Sequence, residues 1–259
     1  MKQIIKNFNK YRFLLSELVI KEIKLKYRRS YLGILWTLIE PLLTMIVLTI
    51  VFSSFRGNGD RTFPIFILSG RLLYSYFSNS TKSAMKSIRT NSQMIKKVYV
   101  PKYIYPLASI ISQYITFLIS LIVLVGVAIY LQIKPTVYIV QAIVPLVVLF
   151  IMVLGIGLIL ATLAVFFRDM EYLWGVILML IMYCSAIFYN PATVMASGNG
   201  WILKYNPLYS IILNFRNTVI YGKALEMDAL LYSVGFSVVT LLIGIWLFYK
   251  KQDQFILNI

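Results

Sequence analysis

Histidine is absent from the chain, cysteine occurs once, and only nine Asp and Glu stand against 25 Lys and Arg. The missing histidine removes the commonest general base and the commonest metal ligand. Cys184 lies alone in an apolar run, so neither a disulfide framework nor a cysteine-based metal site is available. A P-loop needs Gly-x-x-x-x-Gly-Lys followed by Ser or Thr, and the one Gly-Lys pair, Gly222-Lys223, has Asn217 where the first Gly belongs. A hydrolase or transferase needs an acid, base, nucleophile or metal held in a constellation, and none is found. Asp169 and Glu171 resemble the paired acids of metal-dependent sugar transfer, but with no further acid nearby they read as caps for the helix that follows. A proton- or sodium-coupled carrier would show inverted repeats and several intramembrane ionisable groups. Here Glu40 stands nearly alone.

Apolar residues fill the space these absences leave. The 259 residues are 60% hydrophobic, with a mean hydropathy of +0.81, too apolar for a soluble domain of about 45–50% apolar content. The sequence reads as an all-α integral membrane protein. Its net charge of +16 points to cytoplasmic loops facing anionic lipid and not to nucleic acid. No cleavable signal is evident, since the basic start leads into an amphipathic segment.

Residues 1–30 form a cytoplasmic segment. Lys10, Glu17, Lys21, Lys24 and Arg28 fall within about 60° of one another at helical spacing, while Tyr11, Leu14, Leu15, Leu18 and Leu25 share a separate face. This predicts a helix lying in the membrane interface, against the alternative of a solvated basic tail. The transmembrane domain occupies residues 31–259, with spans at about 31–55, 63–83, 107–131, 137–167, 172–189 and 229–249, each judged against the ~20 residues a bilayer needs. Arg28-Arg29 marks the inner surface. Pro41 should kink the first span, and Glu40 beside it is placed to hydrogen-bond a neighbouring helix or to reach water in a cavity. Residues 56–61 form an outer turn. The second span mixes Arg71, Ser75, Ser78 and Asn79 with Tyr74, Tyr76 and Phe77, as a pore wall would, or as an aromatic belt would. Pro145, Gly155 and Gly157 predict a bend and close helix contact in the fourth span. Between the fifth and sixth spans, Leu208–Tyr221 is amphipathic but only about 14 residues long, which predicts a re-entrant or interfacial helix. With both termini inside, 18 of the 25 Lys and Arg fall on the cytoplasmic side, as the positive-inside rule requires.

The stretch from Lys21 through Trp36 (KEIKLKYRRSYLGILW), followed by Glu40-Pro41-Leu42, resembles the membrane subunit of type-2 ABC exporters for polysaccharides, O-antigen and teichoic acids. Leu68-Ser-Gly70, Phe77-Ser-Asn79, Asn91–Pro101, Pro106-Leu-Ala-Ser109, Phe167-Arg-Asp169 and Asn206-Pro-Leu208 fit the same family in order along essentially the whole chain. The resemblance implies a homodimer in a bacterial cytoplasmic membrane, with two copies of a separate ATPase that carries the ATP and Mg. This chain would bind no cofactor of its own, and a lipid-linked glycan would pass between the subunits. It implies ATPase contacts at Lys21, Lys24 and Arg28 and at Gln93, Met94, Ile95, Lys96, Lys97 and Val98. Substrate-facing candidates are Trp36, Glu40, Arg71, Tyr74, Tyr76, Phe77, Tyr183, Phe188 and Tyr189, the aromatic ones by stacking on sugar rings. Short external helices carrying Pro191, Trp201, Pro207, Phe215 and Arg216 would gate the outer mouth. Arg71 stands where members of the family often have an apolar residue, and if it faces the channel near its outer end it favours a phosphate-bearing polymer such as teichoic acid. An exporter of a drug, lipid or other small molecule is the alternative reading.

Overall fold

The computed structural model describes residues 2–28, 30–56, 61–98 and 100–258, and these are helical with short connections and no strand. Arg29, Tyr99 and most of the predicted 56–61 turn lie outside the described residues. Helix α1 (Lys2–Tyr27) leads through a bend with Gly33 at φ +50° to a 3-10 turn (Gly33–Leu35) and α2 (Trp36–Arg56). Then follow α3 (Phe63–Thr90), α4 (Ser92–Lys97) and α5 (Ile104–Tyr130). A second 3-10 segment (Val137–Ala142) opens α6 (Ile143–Phe166), and α7 (Met170–Tyr183) comes next. Three short helices, α8 (Pro191–Ala196), α9 (Gly200–Lys204) and α10 (Pro207–Val219), precede α11 (Met227–Lys251) and a last turn, α12 (Phe255–Asn258).

Among the described residues, four segments are long and apolar enough to cross a membrane: Gly33–Phe52, Ile104–Tyr130, Val137–Phe166 and Met227–Asn258. The two other predicted spans differ in kind. α3 has the length but carries too many polar residues, and α7 is apolar but has only 14 residues.

α3 is the centre of the bundle, burying Ile65, Leu68, Leu73, Phe77, Ala84 and Ile88. It continues to Thr90, beyond the predicted end near Ser83, because Met85 and Ile88 in the added turns are themselves buried. α6 and α11 meet at glycines, as the small residues predict. A Cβ on Gly155 would lie 2.5 Å from the backbone nitrogen of Leu241, and one on Gly244 would lie 2.6 Å from the Gly155 carbonyl oxygen. Pro145 falls in the first turn of α6, where a missing N–H breaks no helical bond, so it marks the change from 3-10 to α geometry and not a mid-helix bend. α7 stops at Tyr183, six residues before the predicted end, and Ala186 beyond it adopts φ +46°.

α1 is attached to the protein. Its Leu15, Leu18 and Val19 are buried in one cluster with Ile104, Tyr105 and Ala108 of α5, Ile88 of α3 and Ile95 of α4. The apolar stripe that predicts lipid contact is therefore used largely on protein, while Leu25 remains exposed.

Candidate functional site

One face of α3 is polar along most of its length. Arg71, Ser75, Asn79, Lys82 and Lys86 recur at spacings of four, four, three and four residues, which brings them onto one side of a helix turning 100° per residue. All are exposed or half-buried, whereas the opposite face forms the core.

The upper part of this stripe opens into a polar cleft of about 70 Å³, room for roughly five waters. α2 contributes Thr37, Glu40 and Thr44, and α3 contributes Arg71, Ser75, Tyr76 and Asn79. Gln113, Thr116 and Ser120 come from α5, while Lys26 and Tyr27 close the cleft at the end of α1. Three of the sequence-predicted substrate residues, Glu40, Arg71 and Tyr76, therefore meet in one place. The Ser120 hydroxyl donates to the Thr37 carbonyl at 3.1 Å, fixing α5 to α2, and the Lys26 ammonium donates to Gln113 Oε1 at 3.5 Å. Loss of solvent lowers the Lys26 pKa, and the Glu40 carboxylate works in the opposite direction. Arg71 Nη1 donates to Met182 Sδ at 3.6 Å, with its guanidinium carbon 5.8 Å from the Tyr74 ring centroid. Glu40 and Arg71 share the cleft without forming an ion pair among the described residues. Tyr76 is 3% exposed, and its hydroxyl finds no hydrogen-bond partner among the described residues.

The other aromatic candidates have structural partners. Tyr74 donates to the Leu178 carbonyl at 2.9 Å, and Phe77 packs 6.2 Å from Trp174, whose indole N–H donates to Thr81 Oγ1 at 3.0 Å. These contacts latch α7 to α3, so Tyr74 and Phe77, both buried, present no free ring to a sugar. Tyr76 stacks on Phe117 at 5.0 Å. Phe188 stacks on Phe52 at 5.4 Å, and Tyr189 donates to the Tyr183 carbonyl at 2.7 Å. Trp36 and Tyr183 are the exposed members of the set, at 43% and 53%. Asp169 takes the position before α7 without a side-chain capping bond. Glu171 instead pairs with Lys86 at 2.9 Å and Arg89 at 3.6 Å.

In the segment between α7 and α11, Trp201 is exposed and Pro191 and Pro207 half-buried. Phe215 and Arg216 are buried, contrary to a position at an open mouth. Arg216 donates to the carbonyls of Ala186 at 2.9 Å and Phe66 at 3.0 Å, and its guanidinium carbon lies 3.5 Å from the Phe66 ring centroid. Asn206 caps α10 by accepting from the backbone N–H groups of Leu208 and Tyr209, and its amide donates to the Cys184 carbonyl. The α10 helix is thus bound to α3 and to the turn after α7.

The two stretches assigned to ATPase contact lie together, since Leu18 of α1 and Ile95 of α4 share one apolar cluster. Lys21, Lys24, Arg28, Gln93, Met94, Lys96, Lys97 and Val98 are exposed around it. Ile95, 7% exposed, is the anchor of α4 and not part of the outer face. Glu22 was not singled out by sequence reasoning, yet its carboxylate accepts from Ser109 at 2.6 Å and from Ser112 at 2.8 Å. An acid between basic positions on the amphipathic helix was the one signal that could have drawn attention to it.

The sequence profile described as ABC-2 type transporter matches residues 14–220. The chain is 29% identical over 245 residues to the O-antigen export system permease protein RfbA of Klebsiella pneumoniae, covering 93% of each chain. It is 26% identical to the protein of the same name in Myxococcus xanthus, covering 98% of each. With the polysialic acid transport protein KpsM of Escherichia coli it shares 25% identity, covering 91% of this chain and 92% of the relative.

Proposed function

The chain belongs to the ABC-2 type transporter family, and from that premise we propose that it is the channel-forming subunit of an ATP-driven exporter of cell-surface polysaccharide. The observation that carries this reading is similarity along 93% of both chains to a permease named for O-antigen export. The lack of a P-loop in the sequence assigns ATP hydrolysis to a partner. In this reading α2, α3, α5, α6, α7 with the turn following it, and α11 cross the membrane. Both termini are cytoplasmic, and α8–α10 lie on the outer side as short re-entrant helices.

Two copies of the chain would face each other and two ATPase subunits would sit below. α2 supports the pairing, because Leu43, Val47, Ile50 and Val51 expose an apolar face, and α7 exposes Leu173, Val176 and Leu180. The basic surface of α1 and α4 is the ATPase contact. Its seating on α3 and α5 through the cluster around Leu18 and Ile95 gives motion of the ATPase a direct route into the bundle. The α3 face, flanked by Glu40 and Thr44 of α2, lines the path of a lipid-linked glycan.

Co-expression with an ATPase encoded beside this gene tests the assembly. The expected result is a purified complex holding two copies of each chain, whose ATP hydrolysis is stimulated by the glycan substrate. Failure of the two chains to associate, or stimulation by small hydrophobic compounds alone, would contradict it.

A further inference from the structure

We infer that the polar face of α3 selects for negative charge, so that the transported polymer carries carboxylate or phosphate groups. This rests on the export reading and adds the chemical class of the substrate. Arg71 lies eight residues into α3, about 12 Å along its axis. An ionised side chain at such depth persists where it faces a partner or a water-filled cavity. Arg71 lines the cleft, its guanidinium reaches only the uncharged Met182 Sδ of α7 and the Tyr74 ring, and it forms no ion pair among the described residues. A second cation, Lys26, lines the same cleft. The Tyr76 hydroxyl on the cleft wall is buried beside the Ser80 hydroxyl without a hydrogen bond of good geometry, and a buried hydroxyl so poorly satisfied is costly.

Below the cleft the same face continues through Lys82, Lys86 and Arg89, and Glu171 balances part of this charge. Low-dielectric walls strengthen such a field and concentrate ions of opposite sign. A neutral glycan would instead be held chiefly by aromatic faces. On α3 those faces are occupied, since Tyr76 stacks on Phe117 and Phe77 packs against Trp174. Glu40 is the opposing charge in the cleft, and it supplies a control of opposite sign.

The test uses the full-length protein in phosphatidylcholine nanodiscs and three labelled probes: a sialic acid tetramer, a glycerol-phosphate tetramer and maltotetraose. One or both anionic probes should bind at least about tenfold more tightly than maltotetraose, the scale of one charge-assisted contact. Arg71→Gln should remove most of that advantage, Arg71→Lys should keep much of it, and Glu40→Gln should increase it, with maltotetraose binding unchanged throughout. A preference between the anionic probes would separate carboxylate from phosphate as the recognised group. Equal binding of all three would overturn the charge preference and leave glycan export standing. Binding of none, or anionic affinity insensitive to Arg71→Gln in a protein that still runs as a single folded species, would also overturn it.

Discussion

The Glu22 carboxylate accepts hydrogen bonds from the Ser109 hydroxyl at 2.6 Å and, through its other oxygen, from the Ser112 hydroxyl at 2.8 Å. The two serines stand one turn apart on α5, so a single side chain fixes both the height and the rotation of α1. Lys21 and Lys24 on either side of it are thereby held outward. Glu22→Ala should lower stability by about 2 kcal/mol, one hydrogen bond to a charged group being worth about 1.5–3. Glu22→Gln, which keeps one acceptor oxygen, should lose roughly half of that. Thermal unfolding in detergent checks both. The Ser109→Ala, Ser112→Ala double variant should match Glu22→Ala, and wild-type stability in that double variant would refute the clamp.

Arg216 holds α10 to the rest of the molecule, and Gly70 makes room for it. A Cβ at Gly70 would come within 2.5 Å of Arg216 Nη2. Gly70→Ala should therefore push the guanidinium off the Phe66 and Ala186 carbonyls, and Arg216→Met should leave those acceptors unpaired. Each is expected to cost about 2–4 kcal/mol, on the scale of one or two unsatisfied buried groups. Limited proteolysis between α7 and α10 should accelerate in both variants. Unchanged cleavage would show that α10 is secured elsewhere.

At the α6–α11 contact, Gly155→Leu should be more damaging than Gly175→Leu. The first meets the Leu241 backbone at 2.5 Å, and the second has open space around its Cβ position. Backbone cannot yield as a side-chain tip can, so overpacking here should exceed the usual 1–3 kcal/mol of roughly one added group. Yield of monodisperse protein from membranes reads the difference. Equal yields would contradict the close approach.

Lys96 and Lys97 lie on the exposed side of α4, with Ile95 turned inward. Reversing both charges to Glu should leave the chain folded, because surface substitutions typically change stability by less than about 0.5 kcal/mol. ATP hydrolysis by the assembled complex should then no longer respond to substrate. Normal substrate-dependent hydrolysis would move the ATPase contact away from α4.

The long apolar helices were legible because a bilayer demands length and uniform hydropathy: α5 and α11 begin and end within about three residues of where the sequence places them, and the predicted 137–167 span is matched only when the 3-10 segment Val137–Ala142 is counted with α6, which itself begins six residues late at Ile143. The two helices beside the cleft were harder to delimit. α3 carries charge on one face and core on the other, so its average hydropathy conceals how deeply it is buried. α7 ends at Tyr183 although no Gly or Pro follows until Pro191. Tertiary contacts end it, as the Ala186 carbonyl accepts from Arg216 and the Cys184 carbonyl from Asn206. In the cleft, Glu40 and Arg71 stood out as intramembrane charges. Lys26, Gln113 and Ser120 did not, because they join the site from α1 and α5 and only packing brings them near. Aromatic residues were the least readable, since periodicity cannot distinguish Tyr74, which bonds to α7, from an exposed Tyr183.

Localisation of the polymer tests the central claim most directly. Cells lacking this gene, given a labelled sugar precursor, should accumulate glycan internally and lose it from the surface. The wild-type gene should restore surface label, and the Lys96→Glu, Lys97→Glu form should not. Undiminished surface glycan in the deletion strain would contradict the account.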